Sequence, residues 1–259
     1  MQGNSFHLDL TYFLERLLNP GSPFFDGLVI TICVAVISQL VGIALGLTSA
    51  LGQRSGYLAL RLLSRAYVLV IRGTPVIVQI FFVYFGSNIL FGFDLFPNVM
   101  NFGLFHVGGA VVAGIVTLSV NEGAYMSEII RAGIDAIDEG QSEAAVSVGM
   151  TKSMTMRRII LPQAWRIILP SLGNQFNGMI KTTSLLAFIG VYEIFLDAQT
   201  NYSVTFKPVE NFAAVAIWYL GLTTVWGIVQ HQIERRLDRA QSADRRGLRK
   251  MQSIAIESR

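Results

Sequence analysis

Long apolar runs alternate with short polar segments along this chain, and that alternation predicts helices that cross a membrane. The clearest run, Gly27 to Leu51, has 25 residues without a charge. As an α-helix it would extend about 37 Å, which exceeds a hydrocarbon core of roughly 30 Å. By the same criterion we predict an all-α membrane protein with five spans, at about residues 27–51, 75–91, 105–128, 167–190 and 211–230.

The polar segments between these runs predict the orientation. Residues 53–72 contain four arginines and no acidic residue, so they are expected in the cytoplasm, and the N-terminus is expected outside. The few charged residues of segments 92–101 and 191–210 are mainly acidic, so both segments are expected outside. Leu8 to Leu18 is amphipathic but too short and too charged to span, so it should lie along the outer face.

The chain divides into a membrane domain, residues 1–234, and a basic tail, residues 235–259. The tail has eight lysines and arginines, which places it in the cytoplasm, either solvated or in contact with anionic membrane lipid. Since the basic residues concentrate in the tail and the cytoplasmic segments, the net charge of +3 does not indicate nucleic acid.

Composition and motifs exclude several other functions. With 52% hydrophobic and 14% charged residues, the chain is too apolar for an ordinary soluble domain. Its one cysteine, Cys33, excludes a disulfide framework, and the three histidines lack the spacing of metal ligands. No phosphate-binding Gly-xxxx-Gly-Lys-Ser/Thr loop is present, so we expect no ATP, no cofactor and no catalysis in this chain.

The segment from Glu143 to Pro162 is a polar, basic island between spans three and four. It predicts two short helices joined at Gly149, which suits a left-handed turn, with Thr151 as the N-cap of the second helix and Pro162 as its end. The small side chains of Ala144 and Ala145 would let another surface approach closely. The segment therefore predicts a compact cytoplasmic docking loop.

This loop resembles the coupling loop of permease subunits of bacterial ABC importers. The match consists of Glu-Ala-Ala, a glycine after three further residues, and Ile-x-Leu-Pro after nine more residues. The resemblance implies that these residues insert into a cleft of an ATPase subunit. The residues to which it assigns this contact are Glu143, Ala144, Ala145, Gly149, Ile159, Leu161 and Pro162.

Two further motifs resemble the polar amino acid branch of these permeases, the histidine, arginine and glutamine type. They are Arg72-Gly73-Thr74-Pro75 followed by Gln79, and Lys181-Thr182-Thr183-Ser184-Leu185. The resemblance implies a place in the bacterial inner membrane, a second permease chain of the same or a sibling kind, and two ATPase subunits that carry ATP and Mg. It also implies an external solute-binding protein that delivers an amino acid.

Buried polar side chains within the predicted spans are the candidates for the substrate pathway: Gln79, Asn121, Glu122, Lys181, Thr182, Thr183 and Ser184. A charge at the centre of a span costs about 2.5–3.5 kcal/mol on insertion scales, so Glu122 and Lys181 each need a partner or a wet cavity. They would either form an ion pair or meet substrate. A function as an ion-coupled secondary transporter, in which both residues bind ions, stays open at this stage.

Overall fold

The computed structural model describes the backbone of residues 8–102 and 105–257, and side chains from residue 8 to residue 236 outside 102–105. The described part is mostly helical. Its α-helices are α1 Leu10–Leu18, α2 Ser22–Gln53, α3 Leu58–Arg72, α4 Val76–Phe91, α5 Gly109–Asp135, α6 Glu139–Ser147, α7 Lys152–Thr155, α8 Leu161–Thr182, α9 Ile194–Thr205 and α10 Pro208–Glu257.

A short β-hairpin corrects the expectation that the fold is purely α-helical. Strand β1, Met100–Phe102, pairs antiparallel with β2, Phe105–Val107. The third predicted span therefore begins at Gly109 rather than at about residue 105. Residues 105–107 belong to the hairpin instead, and the start of the helix packs closely on the preceding loop, where a Cβ at Gly109 would collide with the carbonyl oxygens of Phe96 and Pro97.

Several helices are long and apolar enough to cross a membrane. Within the described residues, α2 and the Pro208–Arg236 part of α10 are each long and apolar enough on their own, and the number of candidate spans rises from two to four if two bent helix pairs each form one span. One of these pairs is α3 with α4, bent by 104°. Helix α5 has 27 residues, about 40 Å, but polar residues interrupt its apolar sequence. The count of five spans stays a prediction.

Helices α2 and α5 pack closely through glycines. A Cβ on Gly42 would lie 2.7 Å from the Cβ and Cγ of Glu122, and a Cβ on Gly46 would lie 2.9 Å from the backbone nitrogen of Ser127. From the other side, a Cβ on Gly123 would lie 2.8 Å from the Cβ of Leu45. These glycines therefore serve helix packing, as the small-residue spacing of the sequence indicates.

Helix α1 is held at the opposite end of the molecule from the docking loop. Asp9 caps α1 by accepting a hydrogen bond from the Tyr12 nitrogen, and its carboxylate also pairs with the Lys207 ammonium at 2.6 Å. The Trp218 indole donates to the carbonyl of Leu17 at 3.1 Å. The predicted outer segment 191–210 is mostly helical, because α9 occupies residues 194–205. Helix α1 and this segment thus share one face.

Candidate transport cavity and docking loop

A polar cavity of about 460 Å³ lies where α3 turns into α4, against α5 and α8. The turn follows from its sequence, because Gly73 ends α3 and Pro75, which has no backbone N–H, precedes the first residue of α4. The residues that line the cavity are Arg72, Gly73, Thr74, Pro75, Val76, Leu118, Asn121, Glu122, Tyr125, Gln175, Gly178, Met179 and Thr182.

Gln79 fixes the turn and the cavity wall at once. Its side-chain nitrogen donates to the Ile71 carbonyl and to the Thr74 hydroxyl, each at 2.8 Å. Its oxygen accepts a hydrogen bond from the Asn121 amide at 3.0 Å. Gln79 thus joins the α3–α4 turn to α5, which holds Asn121 at the cavity.

Glu122 is the acidic side chain of the cavity, and only 5% of its surface is exposed. Its Oε1 accepts a hydrogen bond from Gln39 Nε2 of α2 at 3.1 Å. The close approach of α2 at Gly42 makes room for this contact. Because Gln39 is a neutral amide, it does not compensate the negative charge that an ionised Glu122 brings to the cavity.

Three of the candidate pathway residues, Lys181, Thr183 and Ser184, lie apart from Glu122. Lys181 is exposed and lines, with Ser184, a different groove against α9 and α10, whereas Thr183 is fully buried. The chain forms a 3-10 helix from Thr183 to Ile189, in which only residues three apart share a side. The successive residues Thr183 and Ser184 therefore point in different directions. In the described part of the chain Glu122 and Lys181 form no salt bridge, so the ion pair that the sequence left open is not formed.

A second cavity, of about 610 Å³, lies next to the first on the side of the predicted cytoplasmic segments. Arg72 and Tyr125 line both cavities, and the Arg72 guanidinium lies 5.2 Å from the centre of the Tyr125 ring. Glu128 accepts a hydrogen bond at 2.8 Å from Arg131, three residues later on the same helix, and it also lies 3.8 Å from Arg72. The sequence did not indicate the contact between Arg72 and Tyr125, which are 53 positions apart.

The docking loop has the predicted turn. Helix α6 is capped by the Asp138 side chain, which accepts from the Gly140 nitrogen at 2.8 Å. Gly149 then adopts a left-handed φ of +84°, and the Thr151 hydroxyl caps α7 by accepting from the Met154 nitrogen at 3.3 Å. Two features of the loop were thus predicted correctly, the left-handed glycine and the threonine cap.

Two other expectations for the docking loop were wrong. Pro162 does not end a helix, because a π-helical turn, Met156–Ile160, carries the chain directly into α8. The wider turn accommodates a proline that cannot donate a backbone hydrogen bond. Ala145 is buried within the chain, so of the two alanines only Ala144 faces outward. Glu143, Gly149, Leu161 and Pro162 are also exposed, and Ile159 is half-buried.

Comparisons with known proteins agree with this architecture. Residues 42–239 match the family described as "Binding-protein-dependent transport system inner membrane component". The chain is 37% identical over 225 residues to the "Probable amino-acid permease protein YxeN" of Bacillus subtilis (strain 168), covering 87% of this chain and 96% of that protein. It is 34% identical over 212 residues to the glutamine transport system permease protein GlnP of Escherichia coli (strain K12), covering 82% and 91%.

A solved structure described as an amino acid ABC transporter with histidines aligns with a TM-score of 0.74 at 36% identity. The alignment covers 83% of this chain and 94% of that one. The family match, the sequence relatives and the solved structure therefore all point, over most of the chain, to membrane components of transport systems. The chain belongs to the family of binding-protein-dependent transport system inner membrane components.

Proposed function

We propose that this chain is a permease subunit of an ATP-driven ABC importer that carries polar amino acids across the inner membrane. Its relatives have names of amino acid permeases, which supports the substrate class. The observation that carries the proposal is the polar cavity, which combines the Glu122 carboxylate with the neutral Asn121 amide and Thr182 hydroxyl. These groups can replace water around a zwitterionic solute.

The complex would contain two permease chains, the second being the same or a sibling, and two ATPase subunits that bind ATP and Mg. An extracytoplasmic solute-binding protein would deliver the amino acid. The proposed topology has five spans, with the N-terminus outside and the docking loop inside. It is supported by the position of α1 beside the acidic segment 191–210 and by the arginines at the other end of the molecule.

The exposed part of the docking loop would enter a cleft of the ATPase. Glu143, Ala144 and Gly149 would form its exposed contact surface, while Ile159 in the π-helical turn and Leu161 and Pro162 at the start of α8 would support it. Ala145 would act from within, because it is buried against the rest of the loop. For the tail, only side chains up to Arg236 are described, so its proposed solvation or lipid contact mostly lies outside the described residues.

Within the cavity, Glu122 would recognise a cationic group of the substrate, either the α-ammonium or a basic side chain. Among the described side chains Glu122 makes no contact with Lys181, so its carboxylate would be available to a ligand in the cavity. Gln79 and Asn121 would hold the cavity wall, and Thr182 would offer a hydroxyl. Lys181, Thr183 and Ser184 would act only where a second chain or another conformation brings them to the path.

Uptake by the complete transporter tests this role. Glu122→Gln keeps the size of the side chain and a group that can bond with Gln39, so assembly should be preserved while uptake of cationic amino acids falls relative to neutral ones. Lys181→Gln is the matched control and should leave this ratio unchanged. Equal uptake ratios in wild type and Glu122→Gln would contradict the role of Glu122.

Co-purification tests the wider proposal. An ATPase subunit should travel with this chain, and external substrate with its binding protein should stimulate ATP hydrolysis. The ion-coupled alternative would require uptake that follows an ion gradient without ATP. The comparisons give that alternative no support, and its two ion-binding candidates, Glu122 and Lys181, face different cavities.

A further inference from the structure

An apolar groove of about 330 Å³ lies between α2, α8 and α10. Helix α8 lines this groove with Trp165, Leu169 and Phe176, whereas it lines the polar cavity with Gln175 and Thr182. The two sets of residues lie on different faces of α8. A second permease chain that closes over the polar cavity would therefore leave the groove facing away from the shared path.

The groove is apolar along most of its length. Apart from Gln39, Gln230 and Glu234, its lining consists of glycine and apolar or aromatic side chains. The Trp226 indole donates to the Gly173 carbonyl at 2.8 Å, so its polar N–H is satisfied and its ring forms a fixed wall. Such a wall favours a hydrocarbon chain.

One end of the groove is polar. Gln230 Nε2 donates to the Pro170 carbonyl at 3.2 Å and to Glu234 Oε1 at 2.8 Å. Along α10, Glu234 lies about 12 Å beyond Trp226, on the side of the basic tail. In the proposed topology this end lies at the cytoplasmic surface, so the groove runs from the apolar interior of the membrane to a carboxylate at its inner face.

We propose that this groove binds an acyl chain of a phospholipid from the cytoplasmic leaflet whose headgroup carries an ammonium, as in phosphatidylethanolamine. The inference rests on the proposed function only for the orientation of the chain and for the position of the second permease. The headgroup follows from charge complementarity within the groove, which Glu234 lines and the following Arg235 and Arg236 do not. Glu234 is the charged residue of the groove lining, and a carboxylate attracts an ammonium and repels an anionic headgroup.

The three tryptophans of the chain provide the test. Trp165 and Trp226 line the groove, whereas Trp218 lies near the outer face, with its ring 5.2 Å from that of Phe24. Two variants of the full-length chain in detergent would retain a single tryptophan, Trp226 or Trp218, with the others replaced by phenylalanine. Phosphatidylethanolamine with brominated acyl chains is then titrated, and the unbrominated lipid is the control.

We expect saturable quenching of Trp226 at a few lipids per chain, with Trp218 unquenched over the same range. Brominated phosphatidylglycerol should bind more weakly. Glu234→Gln keeps the hydrogen bond from Gln230 but removes the charge, and it should lower the preference for the ethanolamine lipid by about two- to fivefold, the effect of a partly exposed ion pair.

Equal quenching of Trp218 and Trp226 would mean only general contact with surrounding lipid and would overturn the proposal. Absence of quenching at Trp226, or tighter binding of phosphatidylglycerol, would do the same. A disulfide between two copies of Leu40→Cys would show that the groove is an interface between chains. Because the assay measures neither uptake nor ATP hydrolysis, its failure leaves the transport proposal intact, and failed uptake leaves the quenching result standing.

Discussion

Replacing Gly149 by valine should uncouple the docking loop from its ATPase while the chain still inserts into the membrane. Gly149 has a φ of +84°, a region that β-branched residues strongly avoid. Apart from the glycine itself and its two chain neighbours, no atom of the described residues lies within 4 Å of the position that a Cβ would take. The backbone conformation, and not a lack of space, therefore opposes the substitution.

The size of the effect follows from that conformation. A left-handed φ costs an L-residue about 1–2 kcal/mol relative to glycine. Because the site is exposed, the loop can relax to a different turn instead of unfolding the protein. A penalty of this size lowers the population of the docking conformation by a factor of about 5–30, so affinity for the ATPase should fall by the same factor.

Gly149→Asn is the matched control. Asparagine is similar in size to valine but enters the left-handed region far more readily. Both variants would be purified as full-length chains. Their binding to the isolated ATPase and the substrate-stimulated ATP hydrolysis of the assembled transporter would then be compared. The asparagine variant should remain close to wild type, while the valine variant loses binding and stimulation.

Full ATPase binding and full stimulation of Gly149→Val would refute the reasoning. So would equal losses in the valine and asparagine variants, because then any side chain at the tip would interfere sterically with the cleft. A fall in the amount of membrane-inserted protein would show that the loop supports folding and not docking alone.

Three further predictions concern packing, pH and topology. Gly46→Ala should lower the free energy of unfolding by about 1–3 kcal/mol because its Cβ meets α5, while Gly221→Ala on open α10 should cost nothing, as measured by thermal unfolding. The hydrogen bond from Lys207 lowers the pKa of Asp9, and the bond to Asp9 raises the pKa of Lys207. The stabilising contribution of Asp9 is therefore present above its unfolded pKa and is lost as pH falls through the lowered value. The stabilising contribution of Lys207 is present below its unfolded pKa and is lost as pH rises through the raised value. Hydrogen exchange of α1, relative to its intrinsic rate at each pH, should therefore accelerate at both extremes. Asp9→Asn should remove the acceleration at acidic pH. In a cysteine-free background, a cysteine at Asn98 should react with an impermeant reagent only from outside, and labelling only from the cytoplasm would reverse the proposed topology.

Local backbone chemistry made part of the docking loop predictable from sequence. A left-handed turn needs glycine and a helix start needs a hydroxyl cap, and Gly149 and Thr151 meet these needs wherever the loop packs. Pro162 was misjudged because the usual rule assumes an ordinary α-helix. The structure instead widens the preceding turn into a π-helix, which periodicity does not reveal.

The polar cavity was only partly predictable for a different reason. Asn121 and Glu122 were recognisable as polar groups inside a span, but which side chain meets them depends on how helices far apart in sequence pack. Lys181 faces away because it is one position, about 100° around α8, from Thr182, which lines the cavity. Gln39, the actual partner of Glu122, gave no signal beyond being a polar residue in an apolar run.

The glycine contact between α2 and α5 also has a mechanical consequence. Because even a Cβ on Gly42 or Gly46 would collide with α5, the two helices are packed too closely to slide past each other, and they act as one rigid helix pair. Helix α6, which contains the start of the docking loop, has its Asp138 cap three residues after the end of α5. A force applied to the docking loop would therefore be transmitted along this helix pair to the level of Glu122.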